Sequence, residues 1–128
     1  VLLDVLGADP TFGPRSREAL RQAYDAGALV ACEIVWAEVR AHFATEQAFR
    51  GAMRELGVQF DPLTADAAEA AGRVWRHRRG AGQPGRDRVV ADFLIAAHAL
   101  LQADALVTRD RGFYRRYFAN LKLVDPSV

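Results

Sequence analysis

The chain has 128 residues, 51% of them hydrophobic and 26% charged, with a formal net charge of +1. That is one ordinary globular domain with a sizeable core; it excludes a disordered polyelectrolyte and a polycation that holds nucleic acid by bulk charge. A single cysteine, Cys32, excludes an intramolecular disulfide and a cysteine-based zinc site, and without a transmembrane-length apolar run or signal peptide the expected compartment is the cytoplasm.

The predicted elements alternate between strand and helix. Val1–Leu3 is apolar and reads as a strand, extending as far as Leu6 and entered partway along, as though residues before Val1 belonged to it. Gly7–Pro14 is a turn-rich loop. Arg15–Ala26 is a helix with Leu20, Ala23 and Tyr24 at helical spacing and Gly27 as its stop. Ala28–Cys32 is a short buried strand. Glu33–Phe43 is a helix, and Thr45 caps another that reaches Leu56 before Gly57. Val58–Phe60 is a third strand. Thr64 caps a long helix through Arg79, and Gly80–Gly85 is a Gly/Gln/Pro loop.

Residues 91–110, ADFLIAAHALLQADALVTRD, form one compact unit. Asp92 is expected to open a helix that Phe93–Gln102 continue, apolar on most faces and therefore buried on several sides. Ala103–Asp104 turns the chain, and Ala105–Thr108 is a short strand. A ten-residue helix is roughly 15 Å long and a four-residue strand returns roughly 13 Å, so Asp110 should land near Asp92. A helix at Gly112–Tyr117 and a strand at Leu121–Val124 complete the chain. There is no internal repeat or low-complexity tract. Strands separated by helices predict a three-layer α/β/α domain over residues 1–128 with a parallel central sheet and right-handed crossovers.

Ligands of such sheets bind beyond the carboxyl ends of the strands. Asp4 follows the first expected strand, Glu33 and Glu38 the second, and Asp110 the one at 105–108; Asp92 heads the helix feeding that strand. Carboxylates gathered at one edge repel, and a divalent cation removes the conflict. All-oxygen ligation suits Mg²⁺ or Mn²⁺ rather than zinc. Such an ion lowers the pKa of a bound water and neutralises phosphate charge, so the physical reading is metal-assisted phosphodiester hydrolysis. A helix N-terminus at Asp92 would help keep that carboxylate ionised. Each acid also has an ordinary explanation: Asp92 as a helix cap, Asp110 as a turn residue, Glu38 on an outward helix face, Glu33 as a dipole partner. Convergence on one edge is what raises them to a site.

The segments AEV at 37–39, ADFLIAAHAL at 91–100 and LVTRDRGFYRRYF at 106–118 resemble the PIN-domain ribonucleases, and most closely the VapC toxins of type II toxin–antitoxin pairs. The resemblance spans essentially the whole chain, in order; the last two motifs are specific and AEV alone is weak. It implies a parallel sheet flanked by helices and an acidic quartet that binds Mg²⁺ or Mn²⁺ and cuts RNA, leaving a 5′-phosphate and a 3′-hydroxyl. By position Glu38, Asp92 and Asp110 match the second, third and fourth acids and carry the catalytic and metal roles. It further implies a homodimer neutralised by a VapB-type antitoxin. The first acid is where the chain departs: VLLDVL resembles the stretch just after the family's first signature, so that acid either precedes Val1 or is replaced by Asp4 as a metal ligand.

Other residues carry less. Thr108 matches a family hydroxyl beside the acids. Arg109, Arg111, Arg115 and Arg116, next to Asp110, and Arg73, Arg76, Arg78, Arg79, Arg86 and Arg88, around the loop, are candidates for RNA phosphates, with Arg109, Arg111 and Thr108 foremost for substrate. Sixteen of the seventeen basic residues are Arg, for which a GC-rich genome is the plainer explanation. Trp75, Tyr114 and Tyr117 could stack bases but read better as core. His42, His77 and His98 lack ligand spacing, and His98 belongs in the core. Two serines give a Ser-His-Asp hydrolase little to build on, and no phosphate-binding glycine motif occurs. The leading expectation is thus a metal-dependent endoribonuclease toxin. The alternatives are a catalytically silent PIN-like module that binds RNA or protein, and another metal-dependent phosphohydrolase.

Overall fold

A computed structural model describes residues 1–80 and 87–127, with side chains at 78–80 and 87–89 outside that description. Its helices are α1 (Leu2–Leu6), α2 (Gly13–Ala26), α3 (Glu33–Arg40), α4 (Glu46–Leu56), α5 (Ala65–Gly80), α6 (Asp87–Gln102) and α7 (Arg111–Tyr117). Its strands are β1 (Leu29–Ala31), β2 (Val58–Phe60), β3 (Leu106–Val107) and β4 (Leu123–Val124). The expected Gly80–Gly85 loop lies almost wholly outside the described residues, as do the side chains of Arg78, Arg79, Arg86 and Arg88.

Local chemistry sets most boundaries. The Asp9 carboxylate accepts from the Thr11 and Phe12 amides, both at 2.8 Å, and leads the chain into α2, which has Pro14 in its first turn. The Thr45 hydroxyl accepts from the Ala48 amide at 3.1 Å, and the Thr64 hydroxyl from the Ala67 amide at 3.2 Å, as N-cap residues do. Gly57 ends α4 at φ 73°, where a Cβ would lie 2.5 Å from the Tyr24 ring.

Two sequence expectations fail here. Residues 2–6 are helical, not a strand: the Val5 amide donates to the Val1 carbonyl and the Gly7 amide to the Leu3 carbonyl. Val1, Leu2, Val5 and Leu6 recur at helical spacing and pack into one cluster, a pattern that a short apolar run conceals. Asp92 does not open its helix. α6 is already formed at Asp87, so Asp92 lies in its second turn and gains nothing from a terminal dipole.

Among the described residues every strand pairing is parallel, as expected, but the strands make two separate pairs, β1 with β2 and β3 with β4. Two hydrophobic clusters accompany them. One joins α1–α4 to β1 and β2 around Val39, Phe49 and Met53, with Trp36 edge-on to Phe49 at 5.2 Å. The other joins α5, α6 and α7 around Phe93, which meets Phe113, Tyr117 and Phe118 at 5.3–6.0 Å. In the second, Ala67 and Ala71 of α5 and Ala96 and Ala97 of α6 are buried, and such small side chains let two helices pack closely. Trp75 packs against this cluster. Among the described residues, no helix is long and apolar enough to cross a membrane.

Candidate active site

The site forms where β1 and β3 end. β1 passes through Cys32 into α3, which carries Glu38; β3 passes through Thr108 to Asp110, the N-cap of α7. The Thr108 hydroxyl accepts from the Asp110 amide at 3.1 Å, fixing the bend, and the Asp110 carboxylate accepts from the Phe113 amide at 3.4 Å. α6 packs against α3 and supplies Asp92. Glu38, Asp92, Asp110 and Thr108 thus line one cavity of about 650 Å³. Glu38 and Asp110 are exposed and Asp92 is half-buried, so the acids are open to solvent.

Tyr114 reports their convergence. Its side chain is buried on α7, and its phenol is pushed well above the ordinary tyrosine range, first by burial and then by the negative charges of Asp92, Asp110 and Glu38. One hydroxyl feels all three acids. Tyr114 therefore belongs to the cavity as well as to the core. Its signal in the sequence was its place four residues after Asp110, one helical turn beyond the cap.

Asp4 is not one of the converging acids. Arg109 donates to its two oxygens from Nε and Nη2, both at 2.9 Å, and Ser16 donates from its hydroxyl at 3.0 Å. The Val1 ammonium lies 3.7 Å away. Burial raises the Asp4 pKa, but these donors outweigh burial and hold it below the usual value. A carboxylate engaged on both oxygens within the fold acts as a structural anchor. The same bonds occupy Arg109: its fork is taken by Asp4, and its guanidinium lies 3.8 Å from the centre of the Phe12 ring. Arg111 pairs with Asp125 at 2.8 Å while staying 43% exposed, and Arg116 lies over the Tyr117 ring. Glu33 is likewise outside the cavity, its carboxylate accepting from the Leu63 amide at 2.9 Å. His98 is buried, with Nε2 2.8 Å from the Asp61 carboxylate, a core role as expected.

Three carboxylates and a hydroxyl are an all-oxygen donor set of the kind hard divalent cations take. They share the cavity without being drawn into a tight cage: among the described residues, no three His, Cys, Asp or Glu are grouped closely enough to hold an ion. Mg²⁺ keeps several of its waters and is held through one or two carboxylates, so an open set of this chemistry fits a hydrated cation.

Comparison with known proteins bears on the whole assembly. No curated protein matches the sequence. Among solved structures, the chain resembles VapBC2 from Rickettsia felis bound to a DNA fragment from their promoter, with a TM-score of 0.71 and 17% identity over 97% of this chain and 92% of the other. It also resembles VapBC-1 from nontypeable Haemophilus influenzae, with a TM-score of 0.61 and 19% identity over 87% of each chain. At that identity the likeness is one of fold. The sequence model of the PIN domain matches residues 1–119, nearly the full length, and on that match the chain belongs to the PIN domain family.

Proposed function

We propose that the protein is a Mg²⁺- or Mn²⁺-dependent endoribonuclease, the VapC-type toxin of a toxin–antitoxin pair. The observation that carries the reading is the convergence of Glu38, Asp92 and Asp110 on one cavity and on one phenol. Membership of a family whose nucleases generally use divalent metals supports it, as does the fold shared with VapBC proteins. Glu38, Asp92 and Asp110 would hold a hydrated ion, partly through its retained waters; when bound it supplies a water of lowered pKa and neutralises charge on the phosphate. Each acid has its own support: Asp92 stands on a long helix, Glu38 on α3, and Asp110 is braced by its cap bond. Thr108 lines the cavity, and its hydroxyl holds the Asp110 amide. Tyr114, kept neutral, lines the cavity and would offer an O–H donor beside the acids. Arg111, 43% exposed and next to Asp110, would meet an RNA phosphate. The reading entails one PIN domain over residues 1–128, a cytoplasmic setting, a VapB-type antitoxin and a homodimer.

The test is cleavage of total cellular RNA in Mn²⁺, Mg²⁺ or EDTA, beside Asp92→Asn. Metal-dependent cutting, abolished by the substitution with the fold intact, is expected; full activity in Asp92→Asn would remove the metal assignment. The open arrangement of the acids favours one rival, a silent module that binds RNA or protein. Such a module would bind RNA equally with and without metal and leave it uncut.

A further inference from the structure

The loop from β2 to α5, residues 61–64, is bound by side chains from two helices at once. From α3, the Glu33 carboxylate accepts from the Leu63 amide at 2.9 Å. From α6, His98 Nε2 lies 2.8 Å from Oδ2 of Asp61; an ionised carboxylate only accepts, so that nitrogen carries the proton and donates. Gln102 gives its whole side-chain amide to the loop. Its Nε2 donates to the Pro62 carbonyl at 2.9 Å and to Asp61 Oδ2 at 3.2 Å, and its Oε1 accepts from the Thr64 amide at 2.9 Å. The Asp61 amide donates to the Ala31 carbonyl and so continues the β1–β2 ladder. Pro62 has no N–H, so every backbone donor of the loop is engaged.

The two helices tied in this way are the ones that carry Glu38 and Asp92, and they pack against each other. Glu33 is the first residue of α3, and Glu38 stands ~7.5 Å further along its axis. Asp92 stands ~9 Å before His98 on α6, and both line the same cavity. His98 and Gln102 lie one turn apart on one face. The other contacts of α6 are short and apolar: Ala96, Ala97 and Ala99 are buried in one cluster with Ala67 and Ala71 of α5. Such contacts bring helices close but are non-directional. Hydrogen bonds to a fixed loop are directional, and they set rotation and axial position as well. His98 is buried among those alanines with its Nε2 bonded, and a satisfied buried polar network makes its surroundings rigid. Bonds that served the loop alone could all come from one helix; these join both acid-bearing helices to one clasp.

We propose that Glu33, His98 and Gln102 are positioning residues: through loop 61–64 they fix α3 against α6 and so set the separation of Glu38 and Asp92 for a hydrated divalent cation, a role that rests on the metal reading of the site.

Two measurements on the full chain test this. One is Mn²⁺ affinity, from the EPR signal of the free ion. The other needs no metal: the distance between spin labels at Ala41, the C-cap of α3, and Leu101 of α6, both exposed, in a Cys32→Ala background. Glu33→Ala and His98→Leu should each weaken Mn²⁺ binding by ~10–100-fold and shift or broaden the label distance. Glu33→Gln keeps the acceptor and His98→Gln keeps a donor, so both should match the parent in affinity and distance. Urea denaturation identifies the folded variants, and Glu33→Ala, which removes one half-buried acceptor, serves where His98→Leu fails to fold. Three results would overturn the proposal: folded Glu33→Ala and His98→Leu variants that keep the parent distance; variants that change the distance yet bind Mn²⁺ as tightly as the parent; or Gln variants as weak as the Ala and Leu ones. A parent that binds no Mn²⁺, or Asp92→Asn binding it equally well, would overturn the metal reading and the cation role with it, while the label distances would still decide whether the clasp sets the helix spacing.

Discussion

Arg109→Met separates the two roles the arginine could have. The substitution leaves Asp4, 7% exposed, with the Ser16 hydroxyl as its remaining side-chain donor among the described residues. Removing one partner of a buried ion pair costs about 3–5 kcal/mol. The Arg109 side chain is 36% exposed, so solvent screening brings that to about 2 kcal/mol, and losing its contact with Phe12 adds about 0.5 kcal/mol. A chain of this length unfolds with an entropy of about 0.27 kcal/mol/K, so the midpoint should fall by about 9 °C. The acid dependence has a definite sign. Because the folded-state pKa of Asp4 is lowered from 3.8, its stabilisation is present above that value and lost as pH falls through the folded one. The gap between parent and variant in urea denaturation should therefore be full at neutral pH and narrow below about pH 4. Asp4→Asn combined with Arg109→Met should cost less than the two separate losses added together. A gap under about 0.5 kcal/mol at neutral pH, or one insensitive to acid, would refute the anchoring role. Weaker RNA binding at unchanged stability would return Arg109 to the substrate.

Gly57→Ala should destabilise by about 1–2 kcal/mol in the same assay, because its φ is 73° and the added Cβ meets the Tyr24 ring. Thr45→Ala should remove about 1 kcal/mol by leaving the Ala48 amide uncapped, and Thr45→Ser should restore most of it. In a difference titration of phenolate absorbance between parent and Tyr114→Phe, Tyr114 should stay neutral past pH ~10, where free tyrosine ionises. Glu38→Gln with Asp92→Asn should bring that transition down; an unmoved transition would mean that the acids do not converge on the phenol.

Much of this protein is written locally in its sequence. The Thr45 and Thr64 caps, the Gly57 stop and the apolar run after Asp92 place α4, α5 and α6 within a few residues, because caps and periodicity act over one or two turns. The returning helix and strand at 91–110 put Asp92 and Asp110 on one cavity by length alone, and Glu38 joined them from the strand-end rule. What the sequence could not decide were contacts between distant segments. Asp4 and Arg109 are 105 residues apart, and nothing near either one says that they pair. Taken singly, each resembled a site residue: an acid after an apolar run and a cation beside an acid. Tyr114 read as core because burial and proximity to three acids are compatible only in three dimensions. Residues 1–6 illustrate the same limit. Their apolar composition suits a strand or a helix, and the choice fell to packing against Val39, Phe49 and Met53 together with the grip of Arg109 on Asp4. Outside residues 1–6, local propensity thus determined the elements and the chemical types at the strand ends. Tertiary structure decided which carboxylates face the cavity and which are held by a cation, because desolvation and ion pairing depend on neighbours that the linear chain keeps apart.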